Sequence, residues 1–353
     1  MENNYLGNVS NRFLFFPLPR KRERRGLLTM RVKSMGIEFT RRDFLKLASS
    51  AGLGIFISPR FASAVFKTQA EKKSATKVDI VVVENGSPAE MVQRAVSGIG
   101  GMSRFVKQGD VVVVKPNMSW DRLPKFGATT HPEVVAEVVR LCLEAGAKKV
   151  KVFDRTLNEP RRCYRHTGIQ KAVKAVGGDV FFMYKRNYVK VPIPKGIRIK
   201  SWEVYRDVLE ADVLINVPVV KHHGLTRVSM GIKNLMGFLG QNRGRLHRHF
   251  DQKIVDIATV LKPQLTILDA TRVLLRNGPQ GGNLQDVKWF HTIVVGTDMV
   301  ATDSYGAKFF GFRGSELGYL REAHARGLGE IDLTKLIIRK INLDKLNSAE
   351  ARG

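Results

Sequence analysis

Four of the chain's eight histidines, His222, His223, His247 and His249, fall within residues 211–249. The same stretch holds Lys221, the pair Lys233-Asn234 between Gly231 and Gly237, and the arginines Arg243, Arg245 and Arg248. Histidines gathered in this way can ligate a divalent metal or work as an acid/base pair. The metal reading takes His223, His247 and His249 as ligands. A lysine among glycines can sit against an anionic ligand or form a covalent adduct; the plainer reading is a surface lysine. The catalytic set is therefore read as His223, Lys233 and His249. His247 and His249 share a face only where the segment is extended; in a helix one of them points away.

These side chains need elements to carry them. Residues 211–217 are an apolar, β-branched run that gives way to Pro218 and then Lys221-His222-His223. That pattern predicts a buried parallel strand delivering polar groups at its C-terminal end, where ligands of open α/β sheets sit. Residues 110–114 predict a second such strand, running into Lys115-Pro116-Asn117. Residues 264–268 predict one ending at Asp269, and 292–295 one ending near Asp298. Lys115, Asn117, Lys221, Asn234 and Asp269 are thus expected around a bound cofactor or ligand, with Asp298 and Asp303 as further carboxylates near strand ends. Asp303 falls in the first turn of a helix predicted over 302–310, where it can also simply favour the helix N-terminus.

The rest of the body alternates. Strands are predicted at 78–83, 148–153, 179–183 and 335–341, with short, partly exposed strands within 184–200. Helices are predicted at 88–96, 132–145, 164–176, 202–210, 254–261 and 316–326. Strand and helix in this rhythm predict a doubly wound α/β fold with a mostly parallel sheet and helices on both faces, as one domain or as two lobes with a cleft. Gly98, Gly100 and Gly101 do not follow a strand, so they make no dinucleotide fingerprint.

The 353 residues carry a formal net charge of +27. Residues 1–64 hold 12 basic and 4 acidic residues, which leaves 47 against 28, a net +19, for the remainder. Such an excess favours anionic partners, whether a carboxylate or phosphate ligand, an acidic membrane surface or nucleic acid, or is a generally basic surface. No arginine-rich helix or basic–aromatic motif argues for nucleic acid. Two cysteines, Cys142 and Cys163, are too few for an iron–sulfur cluster or a four-cysteine zinc site within one chain. Thr40-Arg41-Arg42-Asp43-Phe44-Leu45-Lys46, a short apolar region at 47–57 and Ala62-Ser63-Ala64 read as a twin-arginine signal with a peptidase site. Residues 1–64 are therefore expected to be an extension and signal peptide, with Met35 as an alternative start, and 65–353 the α/β domain. The twin-arginine translocase becomes a partner during export to the periplasm or cell exterior, with a membrane tether if the signal stays uncleaved.

KPN at 115–117, HPEVV at 131–135, EAGAKKV at 144–150, ADVLINVPVVKHH at 211–223, GIKNLMG at 231–237, KPQLTILDA at 262–270 and NGPQGG at 277–282, in that order, resemble the domain of unknown function 362 family. So do the His247/His249 region and the Asp298/Asp303 pair. Many members of that family carry an added ferredoxin-like cysteine motif, which this chain lacks. A remoter resemblance is to nickel-pincer lactate racemases, through the spacing of His223, Lys233 and His249. It implies a lysine that holds the cofactor covalently, one acid/base histidine and one nickel ligand. A further catalytic histidine of those enzymes would fall near Asp154, where this chain has none. Two functions follow as expectations. One is an exported metal- or cofactor-dependent enzyme, racemase- or isomerase-like, acting on a small anionic substrate. The other is a non-catalytic exported protein that binds an anion or a metal.

Overall fold

Runs of valine and isoleucine supply most of the strands. In the computed structural model, which describes residues 78–350, these are β1 (Ile80–Glu84), β2 (Val111–Pro116), β3 (Lys149–Val152), β4 (Asp179–Val180), β5 (Tyr188–Pro192), β6 (Ser201–Tyr205), β7 (Val213–Val217), β8 (Val219–His223), β9 (Arg227–Ser229), β10 (Leu265–Leu274), β11 (Val287–Gly296) and β12 (Ile338–Asn342). The main sheet runs β12-β1-β11-β10-β7-β2-β3-β4, with β8 paired to β10 and β9 paired to β8. Most pairings are parallel, but β11 is antiparallel to both β1 and β10, and β8 to β9. The fold is α/β with a mostly parallel, mixed sheet. The expected leader and export signal at residues 1–64 lie outside the described residues.

Side chains alternate across the sheet, so each strand feeds two cores. Val81, Val83, Val112 and Val114 join one, beneath the helices Pro88–Gly98, Pro132–Glu144 and Ile169–Ala175. Ile80, Val82 and Val113 join the other, beneath Phe250–Ala258, Met299–Ala307 and Gly318–Ala325. The helix Pro132–Glu144 shows why such segments form. Pro132 stands in its first turn, His131 Nδ1 accepts from the Glu133 amide at 3.3 Å, and Val134, Val135, Val138, Val139 and Cys142 make its buried stripe.

Several elements differ from the sequence reading. The segment expected as a helix over 202–210 is helical only at Arg206–Leu209; before it, β6 pairs antiparallel with β5, Trp202 opposite Val191. Trp202, Val204 and Tyr205 are buried while Ser201 and Glu203 are less so, a period near two that overrides helix propensity. The helix expected over 164–176 is two, Pro160–His166 and Ile169–Ala175, parted at Gly168 in the left-handed region (φ 72°). β4 has only two residues, and β10 and β11 are far longer than expected because they pair with each other antiparallel.

The sheet has its change of direction beside β2. From β2 the chain steps outward to β3 and β4, whereas β7, on the other flank of β2, leads toward β10. Strand ends on either side of such a point leave a crevice for a ligand.

Candidate active site: a cationic cleft at the strand ends

Pro218 ends β7, and the chain resumes at once as β8. Because strand side chains alternate, Lys221 and His223 face one way and His222 the other. Lys221 and His223 are buried against a cavity of about 110 Å³, while His222 Nδ1 accepts from the Gly278 amide at 3.1 Å. The hairpin to β9 then leads into the short helix Gly231–Asn234, which brings Lys233 and Asn234 back to the same cavity. Its N-terminus is held from across the molecule. Asp303 Oδ1 accepts from the Gly231 amide at 2.7 Å and Oδ2 from the Ile232 amide at 3.0 Å. Asp303 is fully buried in the middle of its own helix, whose N-cap is Asp298. Asp303 therefore caps a helix, but a different one from that expected.

Asn234 joins the strand ends to this helix. Its Nδ2 donates to the Lys115 carbonyl at 3.0 Å and to Asn216 Oδ1 at 2.9 Å, and its Oδ1 accepts from Asn117 Nδ2 at 3.2 Å. Asn216, in turn, donates to the Gly231 carbonyl at 2.8 Å. A buried amide network satisfied on every side fixes a single geometry. Beneath it, Lys115 and Asp154 form a fully buried ion pair at 2.8 Å. Asp154 also accepts from the Met118 amide at 2.6 Å. Gly237 passes directly over this pair: a Cβ there would lie 2.0 Å from Asp154 Oδ1 and 2.5 Å from Lys115 Nζ.

The remaining wall is the turn Arg243–Leu246 and His247. Arg243 is buried, and its guanidinium donates to the Thr156 carbonyl at 3.2 Å. The His223 and His247 rings stack at 5.5 Å between centroids. The Leu225 amide donates to His223 Nδ1 at 3.2 Å, so the neutral ring carries its proton on Nε2. His247 is the reverse. Its Nδ1 donates to the Gly244 carbonyl at 3.2 Å, which leaves a lone pair on Nε2, a buried atom with no partner among the described residues.

Lys221, Lys233 and Arg243 thus share the lining with one carboxylate, Asp154, which Lys115 already neutralises. Burial, with Lys233 and Lys115 as cationic neighbours, lowers the Lys221 amine to about 7. Burial, then Arg243, lowers Lys233 to about 7. Burial, then Lys233 and Lys221, holds His223 down to about 2, so its ring is neutral. His247 and Arg243 are shifted downward as well, chiefly by burial.

Of the residues singled out in the sequence, Asn117, Lys221, His223, Lys233, Asn234 and His247 line this cavity, with Lys115 just below. His249 does not join them. It is exposed in the left-handed region (φ 59°) and borders a separate open depression with Asp251 and Arg321. The segment turns rather than extends between His247 and His249, and that separates the two rings. The expected metal set His223, His247 and His249 is therefore not assembled. Among the described residues no three His, Cys, Asp or Glu side chains gather as a metal group would require. The donor set implied by the racemase resemblance does not fit either, since its third residue lies outside the cavity. Asp269 is also elsewhere: fully buried, it pairs with Arg272 at 2.6 Å and accepts from the His131 amide at 2.7 Å, tying the loop before residue 132 to β10. Sequence reasoning missed Asp154, Asn216 and the buried role of Arg243. Asp154, two residues beyond the end of the valine-containing β3, carried the strand-end signal and could have been found.

The thylakoid-associated protein sll1697 of Synechocystis sp. is 29% identical over 212 residues, 58% of this chain and 65% of that relative, so the match spans just under two thirds of its length. A Thermotoga maritima crystal structure aligns over 66% of this chain and 60% of its own, with 15% identity and a TM-score of 0.39. The lactate racemase apoprotein of Thermoanaerobacterium thermosaccharolyticum aligns over 66% and 57%, with 13% identity and a TM-score of 0.38. The model of the domain of unknown function (DUF362) matches residues 112–308, more than half of the chain and every wall of the cleft, and the protein belongs to that family.

Proposed function

We propose that the cleft is the active site of an enzyme acting on a small anionic substrate. One observation carries this reading: the buried side chains of Lys221, Lys233 and Arg243 converge on a single half-open cavity whose only carboxylate, among the described residues, is already paired. Burying like charges together costs free energy unless an anion offsets it. Two amines near 7 add groups able to give and take protons at neutral pH, and the stacked, neutral histidines add a hydrogen-bond donor and an acceptor beside them. That combination exceeds what holding an anion requires.

Titration calorimetry with pyruvate, phosphate and sulfate tests the reading. The full-length protein is expected to bind at least one of them, and the Lys221→Met/Lys233→Met double variant to bind it at least tenfold more weakly. Equal affinity in both proteins would remove the cleft as the site. Saturable binding with no turnover of any small acid would favour the alternative, a non-catalytic anion-binding protein.

A further inference from the structure

Three lysines meet at the cleft, and their surroundings differ. Lys115 is spent in its ion pair with Asp154. Lys221 Nζ donates to the Ala128 carbonyl and to Asn117 Oδ1. Lys233 has no oxygen acceptor among its described contacts. Its Nζ meets the Met236 thioether at 3.4 Å and lies over the Phe250 ring at 5.5 Å. A thioether is a weak acceptor, so an ammonium here loses its hydration with little in return, whereas a free amine loses far less. A desolvated amine beside another cation is the arrangement that makes lysine a nucleophile at neutral pH.

We propose that Lys233 forms a Schiff base with a small 2-oxo carboxylate. This rests on the reading of the cleft as an anion site and names the electrophile it takes. The carboxylate is met by Arg243 and Lys221, and the adjoining carbonyl carbon is thereby set beside the amine. The cavity, about 110 Å³, suits an acid of a few carbons. The two histidines present complementary atoms, a donor Nε2–H on His223 and an acceptor Nε2 on His247. The Lys233 nitrogen forms the C–N bond as the carbonyl π pair moves to oxygen, which accepts a hydrogen bond from His223. The surplus proton on nitrogen passes to His247 Nε2 and on to that oxygen, giving the carbinolamine. A proton from solvent then converts the hydroxyl to water, which leaves as the C=N bond forms. The products are a protonated imine and one water, and nothing is oxidised or reduced.

The test is trapping. Full-length protein is incubated with pyruvate and borohydride at neutral pH, and the adduct is read by intact mass and peptide mapping. One reduced adduct per chain at Lys233 is expected, with yield rising as pH approaches about 7, where the Lys233 amine is freed, and falling above it, where Lys221 loses the charge that holds the carboxylate. In Lys233→Arg, which keeps the charge, that adduct should be lost while the melting curve shows a folded protein. His247→Gln should slow trapping at least tenfold with little change in the affinity for propionate, which lacks the carbonyl. Label spread evenly over surface lysines, or placed at Lys221, would overturn the assignment. So would tight binding of both pyruvate and propionate with no adduct, an outcome that leaves the anion site standing. Binding of neither acid, nor of phosphate or sulfate, would remove both proposals together.

Discussion

Lys233 sets a cost that can be measured without knowing the substrate. Its amine falls from the ordinary lysine range to about 7, first through burial and then through Arg243. In that window the unfolded chain binds more protons than the folded one, so stability rises with pH between about 7 and 10. Below about 7 the folded protein must hold a buried charge, and the full cost is present. Lys233→Met, which leaves an apolar side chain against Met236 and Phe250, should therefore stabilise the protein by roughly 1–3 kcal/mol near pH 6, with the gain fading toward pH 10. Melting curves of the two proteins across pH check this; a gain that does not change with pH would mean that the amine stays charged throughout. A residue that destabilises its own fold is what an active site, rather than a core, retains. At this scale the sequence was informative about residue types. Asn117, Lys221 and His223 were legible as polar groups just beyond apolar runs, and Lys233 and Asn234 from their place among glycines. His249 was not, because its place depends on a left-handed turn that spacing does not reveal.

The elements carry the site through contacts distant in sequence. The buried strands β2 and β7 were readable from β-branched runs. The strand β6 was not, because its pairing with β5 and its half-buried alternation resemble a short amphipathic helix when only a few residues are viewed. Nor was the partner of Asp303 readable, since Gly231 and Ile232 lie about 70 residues earlier and no local pattern links them. The tightest such contact is at Gly237, which closes the cleft floor by running over the Lys115–Asp154 pair. Any Cβ there must part those two charges or displace the turn. Gly237→Ala should cost about 3 kcal/mol or more, as breaking a buried pair does, and should weaken anion binding along with stability. Denaturant unfolding alongside calorimetry measures both losses. An alanine variant as stable as the parent would show that the pair can move aside, and would remove it as the base on which Lys221 and Lys233 are arranged.

For the whole molecule the question is whether one cavity can be told from a charge of +27 spread over the entire chain. Any salt relieves general repulsion, and the relief depends on ionic strength rather than on which anion is present, because exposed charges are screened beyond about 8 Å under physiological conditions. A ligand of the cleft acts differently. It binds only the folded state, so stabilisation follows occupancy and amounts to about 2.7 kcal/mol at one hundred times its dissociation constant. The cationic lining is buried, so screening reaches it poorly, whereas a bound carboxylate or phosphate meets it directly. At matched ionic strength, the best-binding anion should therefore raise the melting temperature of the parent protein by several degrees more than chloride does, with a hyperbolic dependence on concentration. In the Lys221→Met/Lys233→Met double variant the two salts should act alike, since the remaining surface charge is almost unchanged. The effect should also weaken in the parent as pH rises through about 7, where both amines lose their protons. If the anion stabilises parent and double variant equally, the excess charge is a property of the surface, and the cleft has no special claim on anions.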